Sequence, residues 1–196
     1  MSQNTIIEAR ERSKAGTGTA RAIRREGMIP AIVYGDKKDS EMIAVEARLI
    51  AKESQSAGFF STLYTLKMGN QSQRVLVKDI QIHPVKDIPL HVDFMRVNKD
   101  SKVSVFVPVH YINEDKSPAL KRGGLLNVII HSLEISCPAE EIPESLAVDL
   151  NGLEMNQSVQ LSLLGLPAGC KAAHPERDAV LATVVAPAGE EKAAEA

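Results

Sequence analysis

Apolar and polar residues alternate along much of this chain, and the alternation marks out strands. Thr5 to Ala9 reads as an opening strand, Ile29 to Tyr34 as a short apolar strand and Met42 to Glu46 as another. Phe60, Thr62, Tyr64, Leu66 and Met68 share one parity. Arg74 to His83 supplies a partner across the hairpin signal Gly69-Asn70-Gln71-Ser72. Gln81 and His83 then fall on one face of that partner, because alternate side chains point the same way. Leu90, Val92 and Phe94 alternate with His91 and Asp93, so an inward apolar set leaves His91 and Asp93 together outside.

Later in the chain Val103, Val105, Val107 and Val109 alternate with Ser104, Phe106, Pro108 and His110. Leu125 to Cys137 forms a long β-type segment. Leu146, Val148 and Leu150 alternate again, as do Val159, Leu161 and Leu163, and Val180 to Val185 closes the set. Proline and glycine punctuate these runs, which suggests a small sandwich or barrel. Two helices interrupt the first half. Arg48 to Ser56 is anchored by Leu49 and Ile50. The other lies in Gly16-Thr17-Gly18-Thr19-Ala20-Arg21-Ala22-Ile23-Arg24-Arg25-Glu26-Gly27, where Thr17 or Thr19 can cap the start and Gly27 can end it in a left-handed turn.

The pattern predicts a mainly β chain with short helices (α+β). It divides at the polar Asn98-Lys99-Asp100-Ser101 into a domain over 1–97 and a β-rich domain over 98–186. An Ala- and Glu-rich tail over 187–196 has no apolar face and reads as disordered. Of the 196 residues 44% are hydrophobic, enough for real cores, but aromatics are only 4% and Trp is absent, so Val, Ile and Leu must fill them. No run reaches the roughly 20 apolar residues of a membrane span. The start, Met-Ser-Gln-Asn-Thr-Ile-Ile-Glu, lacks the basic and long apolar parts of a secretory signal. Cys137 and Cys170 form no disulfide framework, which fits a reducing cytosol.

Charge changes the picture. The net value of -2 hides an asymmetry: residues 1–99 carry 16 Lys and Arg against 11 Asp and Glu, and residues 100–196 carry 7 against 14. In the basic half, Arg21, Arg24 and Arg25 stand at i, i+3 and i+4 and share a helix face, while Ala20 and Ile23 can turn towards a core. Guanidinium groups spaced on a rigid element suit repeated phosphates better than one small ligand. Arg10, Arg12 and Lys14 extend the basic region, and Tyr34, followed by Lys37 and Lys38, can stack on or hydrogen-bond to RNA. Each feature also has a plainer use: a solvated basic helix face, a flexible glycine loop, a tyrosine at the core edge.

Enzyme chemistry finds little support. Gly16 and Gly18 lack the third glycine of a dinucleotide loop, since Arg21 stands there. The histidines His83, His91, His110, His131 and His174 show no metal-ligand spacing. Neither cysteine has a histidine beside it in sequence, and no G-x-S-x-G elbow occurs. The remaining alternative is a cytosolic β-domain interaction protein whose basic helix binds an acidic protein partner.

Gly16 to Arg25, then Gly27-Met28-Ile29-Pro30-Ala31-Ile32-Val33-Tyr34-Gly35, resembles the signature of the bacterial large-subunit ribosomal protein twenty-five family, also called the Ctc or general stress protein family. So does Asp79-Ile80-Gln81-Ile82-His83-Pro84 followed by His91-Val92-Asp93-Phe94. Gly123-Gly124-Leu125-Leu126, Leu133 to Pro138, Ile142-Pro143 and Val148-Asp149-Leu150 resemble the second β domain of its long form. The resemblance implies a six-stranded barrel-like N-terminal domain seated on the loop E region of 5S rRNA. It further implies a structural place in the large ribosomal subunit among neighbouring ribosomal proteins, with no catalysis, cofactor, membrane or small-molecule substrate. The RNA-facing residues it implies are Arg10, Arg21, Arg24, Tyr34, Gln81, His91 and Asp93. His83 lies in the matched motif, and Arg25 joins them from the helix face. Thr17 and Ile82 stand where some relatives carry a cation, and neither contact is carried over.

Overall fold

The computed structural model describes residues 5–69, 71–98, 101–139, 141–167, 169–173 and 179–185. The expected tail over 187–196, His174, Asn70 of the hairpin signal and Lys99 and Asp100 of the polar linker lie outside the described residues. The chain divides into two compact units, Met1–Val105 with Cys137–Glu144, and Phe106–Ser136 with Ser145–Ala196.

The first unit contains a closed barrel. Its elements are β1 (Ile6–Glu11), α1 (Thr17–Arg25), β2 (Met28–Gly35), β3 (Lys38–Glu46), α2 (Ala47–Glu53), β4 (Leu63–Met68), β5 (Gln71–Ile82) and β6 (Pro89–Arg96). The strand order is β1-β3-β2-β6-β5-β4, and β4 closes the ring by pairing in parallel with β1. Within the barrel, β2 and β6 also pair in parallel. Alternation drives closure: Ile7, Ile29, Ile43, Val45, Leu66, Val92 and Phe94 are fully buried within, while their sequence neighbours face out. Phe59 adds an aromatic edge against Phe60 and Tyr64, at centroid distances of 5.3 and 6.0 Å.

Two local expectations are corrected. Phe60 and Thr62 share parity with Tyr64 but precede the strand, because the Gly58 carbonyl accepts the Ser61 amide and hydroxyl (both 3.1 Å) and the Thr62 hydroxyl (2.7 Å). Those bonds wind residues 58–62 into a turn. At α1 neither threonine caps the helix. Gly16 is the N-cap, and the Thr19 hydroxyl donates to the Gly16 carbonyl (3.0 Å) instead of accepting an orphan amide. Gly27 does end the helix with a positive φ of 79°.

The β2–β3 hairpin turns through Asp36 and Lys37, both with positive φ, as a two-residue primed turn requires. Gly35, just before it, has φ 104°, and a Cβ there would lie 3.2 Å from the Arg96 carbonyl oxygen. Gly35→Ala is therefore expected to cost about 1–2 kcal/mol through backbone strain, read as a lower urea midpoint at unchanged slope.

The remaining elements are β7 (Lys102–Ile112), α3 (Pro118–Lys121), β8 (Leu125–Val128), β9 (Ser132–Pro138), β10 (Leu146–Asp149), β11 (Ser158–Gln160), β12 (Lys171–Ala172) and β13 (Val180–Val185). Among the described residues they form two open sheets, β10-β7-β9-β12 and β11-β13-β8. The segment Leu125 to Cys137 is split between them. The Ile129 and Ile130 amides both donate to the Leu181 carbonyl (3.0 Å each), which turns the chain out of one sheet before it enters the other. The alternation Val159, Leu161, Leu163 stops after Gln160, where a 3-10 turn begins. Tyr111 on β7 brings its hydroxyl within 2.9 and 3.0 Å of the Ile130 and Leu181 carbonyls, and burial raises its pKa and keeps the proton in place.

Candidate nucleic-acid interface

The outward-facing residues of β2, β6 and β5 form one continuous surface. Strand register sets Ile32 beside Asp93, Asp93 beside Asp79, and His91 beside Gln81. A β-bulge between Val77 and Asp79 shifts β5 by one residue, which turns Asp79 and Gln81 outward although they share the parity of the buried Val75 and Val77. The expectation for His91 and Asp93 holds: both are about one-third exposed, and His91 Nδ1 lies 2.8 Å from Asp93 Oδ1. This contact orients the imidazole and leaves Nε2 for another partner. Tyr34 is half-buried on the outward parity of β2. Its pKa is raised by burial first, then by the negative charges of Asp93 and Asp79, so the phenol stays protonated and can donate a hydrogen bond.

Asp79 belongs to this surface although it was not among the expected contact residues. Its parity with Gln81 was the available signal; the bulge that turns both outward, opposite to Val75 and Val77, was not visible. Two carboxylates, an amide, an imidazole and a phenol make a surface rich in acceptors with a few donors. That set matches 2′-hydroxyls and base edges better than bare phosphates.

The arginine helix borders this surface. α1 packs against β2, whose outward-facing Pro30 is buried, and its own Ala20 and Ile23 are only half-buried. Nine residues make a helix too short to persist alone, so this seat holds it. Arg24 adds a clamp, donating Nε (3.2 Å) and Nη2 (2.9 Å) to the Leu90 carbonyl at the start of β6. Arg21 and Arg25 are exposed and make no side-chain hydrogen bond or ion pair among the described residues. The three arginines therefore divide their work: one secures the helix and two face water.

Arg10 and His83 lie beside this arrangement, outside the strand face of β2, β6 and β5. Arg10 lies on β1 and pairs in register with Ala44 of β3. It lines an open groove of about 630 Å³ with Glu8, Glu26, Glu46, Arg48 and Lys67, where opposite charges are interspersed. His83 falls just beyond β5, so it does not share a strand face with Gln81 as the alternation predicts. Its Nδ1 accepts the Val85 and Lys86 amides (3.2 and 3.3 Å), which turns the ring onto its own loop. Among the described residues no group of three or more His, Cys, Asp or Glu is arranged to hold a metal ion, and no helix is long and apolar enough to cross a membrane.

The sequence matches two family models in order: the Ribosomal L25p family over residues 7–94, and the C-terminal domain of ribosomal protein TL5 over residues 102–188. It is 44% identical over 190 residues to the large ribosomal subunit protein bL25 of Rhodospirillum rubrum, covering 96% of this chain and 90% of the relative. The bL25 of Rhizorhabdus wittichii is 47% identical over 187 residues, with 95% and 90% covered. That of Brucella abortus is 45% identical over 189 residues, with 96% and 91% covered. A barrel carrying an arginine helix, two consecutive family matches and relatives alike over nearly their whole length lead to one conclusion: the chain belongs to the ribosomal L25p family, in the long form with a TL5-type C-terminal domain.

Proposed function

We propose that the chain is a structural constituent of the large ribosomal subunit that binds 5S rRNA, at its loop E region, through α1 and the outward face of β2, β6 and β5. The family is a structural, non-enzymatic component of the ribosome, which places the protein with cytoplasmic ribosomes. The observation that carries the finer reading is the surface formed by Tyr34, Asp79, Gln81, His91 and Asp93 next to a helix with two solvent-facing arginines. An A-form helix offers a wide, shallow minor groove bordered by phosphates. Acceptor-rich strands suit the groove, and Arg21 and Arg25 suit the phosphates beside it. The carboxylates add specificity, since each is repelled by phosphate and accepts only where a hydroxyl or amino group faces it. The second half of the chain, with its excess of acidic residues, is the unfavourable half for phosphate contact and is assigned to neighbouring ribosomal proteins.

The test is to purify the full chain from cells, extract the RNA that accompanies it and sequence that RNA. 5S rRNA is the expected species, and its affinity should fall by roughly 0.7–0.9 log units per phosphate contact for each log unit of salt. A folded preparation that carries no 5S rRNA and ignores it in a low-salt titration overturns the assignment.

A further inference from the structure

The loop from His83 to Ile88 joins β5 to β6 and holds apolar side chains in water. Val85 is 81% exposed, and Ile82 and Ile88 beside it are each 48% exposed. None of the three packs into the barrel core. The loop is nevertheless firmly built. His83 donates its amide to the Ile88 carbonyl (2.9 Å), and the Asp87 amide returns to the His83 carbonyl (3.0 Å). His83 Nδ1 accepts the Val85 and Lys86 amides, the same local device that asparagine supplies in an Asx-turn. Asp87 takes a positive φ of 50° to complete the turn. A backbone ordered in advance around exposed apolar side chains reduces the entropy lost when a partner covers them.

Resting on the docking reading above, we infer that this loop extends the RNA-binding face: Val85 and Ile88 lie against ribose at the edge of the minor groove, and His83 is the positioning residue that holds them there. Continuity favours RNA as the occupant. Gln81 pairs in register with His91, and the chain between them is this loop with Ile82 before it and Pro89 and Leu90 after it, so whatever sits on that pair meets the loop next. The chemistry also fits. The loop offers aliphatic carbon, one lysine (Lys86), one aspartate (Asp87) and a single imidazole, His83, whose Nδ1 is held by the loop's own amides; this suits sugar edges and a nearby phosphate better than stacking on an unpaired base.

The test uses the full chain and 5S rRNA titrated at several salt concentrations. Val85→Ser with Ile88→Ser is expected to lower affinity about tenfold at every concentration, from the loss of apolar contact area. The line of log affinity against log salt should shift in parallel, because no phosphate contact is removed. His83→Leu should lower affinity similarly, and His83→Asn, which keeps an acceptor for the two amides, should restore it. All three positions lie outside the barrel core, and an unchanged melting temperature confirms folding. Unchanged affinity of the double variant, with wild-type binding intact, overturns this inference alone. A flattened slope overturns it too, since charge was then at work. Intact 5S rRNA binding with lowered occupancy in reconstituted large subunits makes the loop a protein contact and also overturns it. Failure of the wild-type chain to bind 5S rRNA removes the docking reading and this inference together.

Discussion

Arg21→Ala combined with Arg25→Ala is expected to weaken 5S rRNA binding about a hundredfold near 0.1 M salt, at roughly tenfold for each charge-assisted contact. The salt slope should flatten by about 1.4–1.8, two contacts at roughly 0.7–0.9 each. These two arginines are the informative pair because both are exposed and neither is committed to the protein. Arg24 is different. Two of its donors already serve the Leu90 carbonyl, so Arg24→Ala loosens the seat of α1 and mixes a structural effect with any loss of contact. Titration of the single and double variants across a salt series separates the two cases. A double variant that keeps the wild-type slope moves the docking face away from α1.

Arg96→Ala is expected to destabilise the barrel by about 3 kcal/mol, the scale for removing one partner of a buried charged network. Arg96 ends β6 and is only 6% exposed. Nε donates to Gln73 Oε1 (2.9 Å) and Nη1 to the carbonyls of Asp39 (2.9 Å) and Gly35 (3.4 Å). Nη2 lies 2.8 Å from Glu41 Oε1, an ion pair without the alignment of a hydrogen bond. One side chain thus joins β6 to β5 and to the β2–β3 hairpin. Its loss leaves the Gly35 and Asp39 carbonyls and the Gln73 amide oxygen short of a donor, and lysine cannot replace a planar fork that reaches several acceptors. Urea denaturation should show a lower midpoint for Arg96→Ala and for Arg96→Lys at unchanged slope. A change below about 1 kcal/mol means that the backbone ladders alone hold this end of the barrel shut.

Much of the architecture was legible in the alternation, because strand faces are a local property. Ile29 to Tyr34, Leu90 to Phe94 and Val103 to Val109 occupy strands, and His91 and Asp93 emerge together on the outer face as their spacing requires. The three-arginine helix was legible for the same reason, since a spacing of three and four residues decides a helix face. The candidate site was legible in part. Tyr34, Gln81, His91 and Asp93 share a surface, whereas Arg10 lines a groove at the end of α1 and His83 bends onto its own loop.

Local spacing by itself determined where most strands lie, which side chains share a face where no bulge or turn intervenes, and which half of the chain carries the positive charge. Tertiary structure alone decided which strands meet, through the parallel pairs β1 with β4 and β2 with β6 that join distant segments. It also decided the fate of individual cations: Arg96 reads like any other surface charge along the chain, and only closure of the barrel surrounds it with acceptors. The physical reason is that periodicity records the two sides of a strand, while register, bulges and burial arise from hydrogen bonds between segments whose separation in sequence carries no periodic trace.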